Sequence, residues 1–197
     1  MGGLERPNSL TEAFSGVDTL WLLTAAGPQA PHASSNALWA ARGAGVSHIV
    51  RLSAIGAAHD APNWGEGRVG LIDARDIAEF AARVLTRPDE HAGKTYTITG
   101  PARLSMADAA STLTDVLGKP VAAQEIPADA AVAAMTAAGF SGWVSEVAAR
   151  EYSAAYAAGW GDYTTPDFVA VAGRPARTLA DFARDHAAYL GGAPAVA

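Results

Sequence analysis

Val17-Asp18-Thr19-Leu20-Trp21-Leu22-Leu23-Thr24 reads as a buried parallel strand, a short apolar run that ends in the turn Thr24-Ala25-Ala26-Gly27-Pro28. A helix is expected over 33–42, closed by Gly43-Ala44-Gly45, and a second apolar run, His48-Ile49-Val50-Arg51-Leu52-Ser53, follows at once. Strand, helix and strand in this order make a βαβ unit of the doubly wound kind. In such folds the glycine loop that grips phosphate follows the first strand. Ahead of Val17 the pattern shows only a helical turn, so the scaffold reads as one that starts beyond its own phosphate loop.

Working outward, 197 residues with half of them hydrophobic suffice for one large domain, or for a core with a smaller lobe. No apolar run approaches the roughly 18 residues of a membrane span. The N-terminus lacks a basic segment leading into an apolar stretch, and Arg6 stands where a myristoylation signal wants Ser or Thr. The chain has no cysteine, which excludes disulfides and thiolate chemistry and agrees with a reducing compartment. A net charge of −6 without any Lys- or Arg-rich tract argues against nucleic acid as a partner. The expectation is a cytoplasmic protein that meets neither membrane nor nucleic acid.

Ser9-Leu10-Thr11-Glu12 fits a capping box, with Gly16 placed to end that short helix. Past an irregular stretch around Pro62-Asn63-Trp64-Gly65, a short strand is expected over 68–72. It runs into a helix from Asp73-Ala74-Arg75-Asp76, whose apolar stripe is Ile77, Phe80, Ala81, Val84 and Leu85. A strand over 95–99 ends at Gly100-Pro101. The texture then becomes helical: a capped helix from Ser105 to Leu117, a strand over 121–126, and helices over 129–138, 142–158 and 178–190, the last behind a box at Thr178 and Asp181. The fold class expected is therefore α/β, an incomplete Rossmann-like parallel sheet over 1–100 with a mainly helical lobe over 101–197.

Gly65-Glu66-Gly67-Arg68-Val69-Gly70 matches G-x-G-x-x-G letter for letter. That chemistry needs a strand before the glycines and a helix start after them, so that backbone N–H groups meet the pyrophosphate. Here an irregular segment precedes and a strand follows, and the match is read as a decoy. The Tyr-x-x-x-Lys pair of short-chain dehydrogenases is absent, because Glu90 and Asp115 stand four positions before the two lysines, Lys94 and Lys119. Gly139-Phe140-Ser141-Gly142 approaches a nucleophile elbow, but Trp143 replaces the final glycine and no strand precedes it. The five histidines show no ligand spacing, so no metal is expected. Ser53, at a strand end, could face a ligand or satisfy a loop backbone. Tyr152 and Tyr156 share a helical face, with Trp160 one turn on and Trp143 upstream. Such a stripe is core packing or the wall of a pocket for a flat apolar ligand, and the residues alone leave both readings open.

Several segments resemble, in order, the NmrA-like family of atypical short-chain dehydrogenases. These are residues 10–20, residues 36–54 with Ala40-Ala41-Arg42-Gly43-Ala44-Gly45-Val46, the segment Asp73-Ala74-Arg75-Asp76-Ile77-Ala78, Tyr96 to Gly100, and Gly173-Arg174-Pro175 through Asp185-His186. The resemblance covers most of the chain. It implies a dinucleotide-binding fold and NAD(P)H as cofactor, with oxidoreductase chemistry on quinone-like acceptors or a redox-sensing role. Of the cofactor site it implies one wall, Leu23 and Thr24 after one strand and Ser53, Ala54 and Ile55 after the next. Trp143, Tyr152, Tyr156 and Trp160 are the substrate-side candidates, and no catalytic residue is assigned. The chain departs from the family pattern by lacking the N-terminal glycine-rich unit and, between Ala58 and Gly65, a middle segment with a lysine-bearing helix. Gly3 stands where family members often carry an Asp.

Two expectations of different class follow. One is an NAD(P)H-dependent oxidoreductase that hands hydride to a small quinone-like molecule. The other is a non-catalytic redox-sensing or interaction protein that has lost dinucleotide binding and pairs as a homodimer through an exposed sheet edge.

Overall fold

The computed structural model describes residues 3–53 and 67–191. The chain is mixed α/β and divides into two compact units, Met1–Ala54 with Phe80–Thr95, and Ile55–Glu79 with Tyr96–Ala197. In the first unit, α1 (Asn8–Ala13) leads to β1 (Thr19–Leu22), α2 (Ala30–Gly43) and β2 (His48–Arg51). The strands pair in parallel with Thr19 opposite His48 and Leu22 opposite Arg51, so the expected βαβ unit is present. Gly45 adopts φ 82° and ends α2 in a Schellman turn, with Val46 N–H donating to Ala41 O at 3.0 Å and Gly45 N–H to Arg42 O at 3.2 Å. Ala37, Ala40 and Ala41 form the buried face of α2 and let it lie close to α1 and β1.

Several local expectations are corrected. The Ser9 box does not form: Ser9 lies inside α1, and its hydroxyl donates to Arg6 O at 2.7 Å and accepts from Gly3 N–H at 3.0 Å. Competition from nearby backbone groups has displaced the cap. Within β1 only Leu22 is buried, because among the described residues the sheet has two strands and little covers it. The irregular stretch around Pro62-Asn63-Trp64 lies outside the described residues.

α3 (Ala74–Thr86) opens at Asp73, whose carboxylate accepts from the Arg75 backbone N–H at 2.8 Å and whose carbonyl accepts from Asp76 and Ile77. The helix buries Phe80, Ala81 and Val84 as its stripe implied, but the residue at the head of that face is Asp76 rather than Ile77. A short α4 (Pro88–His91) follows.

The second unit is mainly helical, with α5 (Met106–Leu117), α6 (Ala128–Ala137), α7 (Gly142–Glu146), a π-helical turn (Val147–Tyr152), α8 (Ser153–Ala157), α9 (Asp167–Ala172), α10 (Leu179–Asp185) and α11 (Ala187–Leu190). The boxes at Ser105/Asp108 and Thr178/Asp181 both form, and Gly118 takes the left-handed turn after α5. α10 and α11 pack on α5, while α6, α7 and the π turn pack together.

The strands expected over 68–72, 95–99 and 121–126 do not form as ladders. Val69 makes one antiparallel bridge to Leu104. Around 97–99 side chains replace strand partners: Thr97 N–H donates to Asp167 Oδ2 at 2.7 Å, Thr165 N–H to Thr99 Oγ1 at 3.0 Å, and the Thr165 hydroxyl to Thr97 O. Val121 N–H is taken by Thr114 Oγ1 at 2.9 Å. The helix expected over 142–158 is interrupted by the π turn, and the one over 178–190 breaks at His186.

Candidate functional site

In the first unit, Leu52 N–H donates to Leu22 O at 2.9 Å, carrying the ladder one step past β2. Thr24 and Ser53 therefore stand at the same offset, two residues beyond the register pair Leu22 and Arg51. This is the carboxyl end of a parallel strand pair, where open α/β sheets take their ligands. Leu23 is 58% exposed and Ser53 is exposed, while Thr24 is half-buried with its hydroxyl 3.1 Å from that of Ser34 on α2. Ala54 and Ile55, expected on the same wall, lie outside the described residues.

This wall suits the nucleoside part of a dinucleotide, offering hydroxyls and an apolar side chain. The diphosphate is less well served by α2. Ala30 N–H is taken by Gly27 O and Ala33 N–H by Gln29 O, and Pro31 has no N–H. His32 is then the only residue of that first stretch with an N–H left to offer, where a phosphate-binding helix start presents several.

The described part of the G-x-G-x-x-G stretch, Gly67 to Gly70, does different work. A Cβ on Gly67 would collide with the Tyr156 carbonyl, and one on Gly70 would sit 2.9 Å from Tyr163 O. Gly70 N–H donates to Gly161 O, and Gly100 N–H to Gly70 O at 3.1 Å. These glycines let backbones stack where any side chain would intervene. Gly161 extends the stack, since its own Cβ would fall 2.8 Å from the Tyr156 ring.

Tyr156 is thus held from two sides, and burial pushes its phenol pKa up, with the phenols of Tyr152 and Tyr163 adding to the effect. Tyr152 closes the π turn and Tyr156 lies on α8. Trp160 does not continue their helical face. Gly159, at φ 85°, ends the helix in a Schellman turn, with Trp160 N–H donating to Ala155 O and Gly159 N–H to Tyr156 O. Trp160 is 39% exposed beyond that turn, and Trp143, on α7, is 44% exposed. Ser141, the serine of the elbow-like stretch, accepts from Val144 N–H and caps α7.

Absent from the sequence reading is the most densely bonded cluster of the second unit. Asp76 is fully buried at 0% exposure. It accepts from Arg174 Nη2 at 2.7 Å, from the Arg177 backbone N–H at 2.6 Å and from the Arg177 guanidinium. Arg174 also pairs with Glu79 and lies 5.1 Å over the ring of the buried Phe168. Beside it Arg75 grips Asp73 through Nε and Nη2 and reaches Asp185 at 2.8 Å. Those hydrogen bonds hold the Asp73 carboxyl below the usual carboxylate range, against the opposing pull of burial. The two segments that resembled the family, around Asp73 and around Arg174, are therefore two halves of one ion-pair network. The signal was present in the sequence as recurring segments, but nothing in their spacing said that they meet. His186 stacks on Phe182 at 4.3 Å and donates from Nδ1 to its carbonyl, so it is a packed helix end. Among the described residues no group of His, Asp or Glu side chains is arranged to hold a metal, and no helix is long and apolar enough to cross a membrane.

Comparison with known proteins now adds to this geometry. A family model described as NAD(P)H-binding matches residues 1–141. An NAD(P)H azoreductase of Xenophilus azovorans is 33% identical over 243 residues, covering 98% of this chain and 83% of that protein. The alignment is longer than the chain itself, so the azoreductase carries residues inside the matched span that this chain lacks. Among solved structures, the triphenylmethane reductase of Citrobacter sp., crystallised with NADP(H), superposes with a TM-score of 0.79 at 22% identity, covering 94% of this chain and 82% of that one. The NADPH-dependent quinone oxidoreductase of Escherichia coli, crystallised with NADPH, gives 0.76 at 20% identity, covering 96% and 82%. At these identities the superpositions establish the Rossmann-like fold. The family match and the azoreductase show that this chain belongs to the NAD(P)H-binding, NmrA-like family of atypical short-chain dehydrogenases.

Proposed function

We propose that the chain is an NAD(P)H-dependent oxidoreductase whose acceptor is a small, flat, conjugated molecule of the quinone or dye type. The observation that carries this reading is the placement of Thr24 and Ser53 at the same offset, two residues beyond the last register pair at the carboxyl end of β1 and β2, in a chain of the NAD(P)H-binding family. In this reading residues 1–100 carry the cofactor wall of Leu23, Thr24, Ser53, Ala54 and Ile55. Residues 101–197 carry the acceptor's contacts, Trp143, Tyr152, Tyr156 and Trp160, whose aromatic faces stack on conjugated rings. Support for an aromatic acceptor comes from the relatives, an azoreductase, a triphenylmethane reductase and a quinone oxidoreductase. Bound NAD(P)H would supply a hydride, and with a solvent proton the acceptor would leave two electrons more reduced. We assign the protein to the cytoplasm, in keeping with its cysteine-free sequence, and to a homodimer, since among the described residues β1 pairs only with β2 and each strand has an unpaired side.

The reading is tested by titrating NADPH into the full chain while following tryptophan emission, since Trp21 lies in β1 directly before the wall. Quenching that saturates below millimolar NADPH, with NADPH-dependent bleaching of an azo dye or a quinone, supports it. An unchanged spectrum at millimolar NADPH overturns it.

A second reading, a non-catalytic redox-sensing or interaction protein that has lost dinucleotide binding, is favoured by the internal residues that the azoreductase has and this chain lacks. No saturable NADPH binding, together with no turnover of azo, triphenylmethane or quinone acceptors, would select it.

A further inference from the structure

We infer that Ser34 is a positioning residue that fixes the polarity of the Thr24 hydroxyl, so that Thr24 offers a proton to an acceptor oxygen of the bound cofactor. The inference rests on the cofactor reading above and adds to it a direction and a residue outside the wall. Ser34 lies in the second turn of α2, buried, and its hydroxyl stands 3.1 Å from that of Thr24. Thr24 is half-buried, two residues past the last residue of β1. Either hydroxyl could donate to the other, and burial decides between them. A buried O–H with no acceptor is a full desolvation loss, whereas an oxygen with one lone pair unused is a smaller one. The Ser34 proton therefore goes to Thr24 Oγ1, the one partner it has among the described residues. Thr24 then accepts from Ser34 and keeps its own proton for the exposed side, where the strand ends.

The polarity has a chemical consequence. A dinucleotide presents mainly acceptor oxygens on its phosphates, its ribose ring and its carboxamide, and a donor set in advance meets them without reorganisation. Donation by Ser34 also strengthens Thr24 as a donor, because hydrogen bonds in a chain polarise one another. Serine suits this position, since a hydroxyl on the buried face of a helix otherwise bonds back to its own backbone and bends the helix.

The experiment is a double-mutant cycle on the full chain, with NADPH affinity read from tryptophan emission and thermal unfolding recorded in parallel. Thr24→Val should weaken NADPH binding about five- to tenfold and Ser34→Ala about three- to fivefold, the span of one or two uncharged hydrogen bonds. The double variant should bind no more weakly than Thr24→Val, and Thr24→Ser should restore affinity to within about twofold of the parent. A purely structural role for Ser34 would instead give additive losses. Additive losses, or a Ser34→Ala variant that binds as the parent does, overturn the positioning role while leaving the cofactor reading intact. Failure of the parent to bind NADPH overturns both. Should Ser34→Ala unfold, Ser34→Cys, of similar size but a weak donor, carries the same test with the same outcomes.

Discussion

The two compact units are organised by different physics. In the first, order is local: an apolar strand, an alanine-faced helix and a second strand, joined by parallel backbone pairing and closed by a glycine turn. In the second, the best-bonded centre is a buried carboxylate, Asp76, held by two guanidiniums from a loop about a hundred residues further along the chain. The β1–α2–β2 part of the first unit could be assembled from near neighbours in sequence, while the unit also takes in Phe80–Thr95. The second requires a long-range closure that brings opposite charges out of water together. In this chain, segments that look similar across a family mark long-range electrostatics at least as much as ligand contact.

The comparison is broken most directly by emptying the centre of the second unit. Arg174→Ala combined with Arg177→Ala leaves Asp76 buried with one backbone donor and no guanidinium. At neutral pH this should cost about 3–5 kcal/mol, read from the shift of the denaturation midpoint. A loss below about 1 kcal/mol would mean that alanine packing around Phe168 and Ala183, both buried, carries that unit and that the ion pairs are incidental.

This contrast also explains what was legible from the residues. The βαβ unit was readable because its signals are periodic and short-range: the apolar run at Leu20 to Leu22, the helix, the glycine at 45. The boxes at Ser105 and Thr178 were readable for the same reason. The strands expected over 95–99 and 121–126 failed because alternation cannot tell a ladder from an extended segment satisfied by side chains, as Asp167 and Thr165 satisfy Thr97. The aromatic stripe was legible at Tyr152 and Tyr156 and lost at Trp160, where Gly159 turns the backbone left-handed. The described glycines of the decoy stretch, Gly67 and Gly70, take part in close backbone packing. Their actual partners, Tyr156 and Tyr163, lie some ninety residues away in sequence, and no local pattern encodes that approach.

That glycine stack supplies the second way to sharpen the comparison. Gly100→Ala would drive a Cβ into the Leu71 carbonyl oxygen, with the Gly100 N–H already committed to Gly70 O. Backbone meets backbone there, and no flexible side chain can yield. The expected loss is about 1–3 kcal/mol. Gly27→Ala, in the loop after β1, meets nothing within 4 Å and should be neutral or slightly stabilising, by up to about 1 kcal/mol. Thermal melts of the two variants compare the tightness of an unladdered stretch in one unit with that of a connecting loop in the other. Equal effects would erase the distinction.

The smallest expected effect on stability falls on the largest exposed side chain of the first unit. Trp39 is 64% exposed on α2, next to the exposed Leu38. A side chain so exposed contributes little to the folding of its own chain, so Trp39→Ser should change the melting free energy by no more than about 0.5 kcal/mol. If copies of this chain associate through the first unit, the same substitution should shift the sedimenting species from dimer toward monomer, since buried aromatics dominate interface energetics. The two readouts separate cleanly. A stability loss above about 1 kcal/mol with unchanged sedimentation would show Trp39 packed within its own chain, making the first unit as dependent on distant contacts as the second. Unchanged stability with a sedimentation shift would show that the local order of β1, α2 and β2 is completed between molecules, where the second unit completes itself within one.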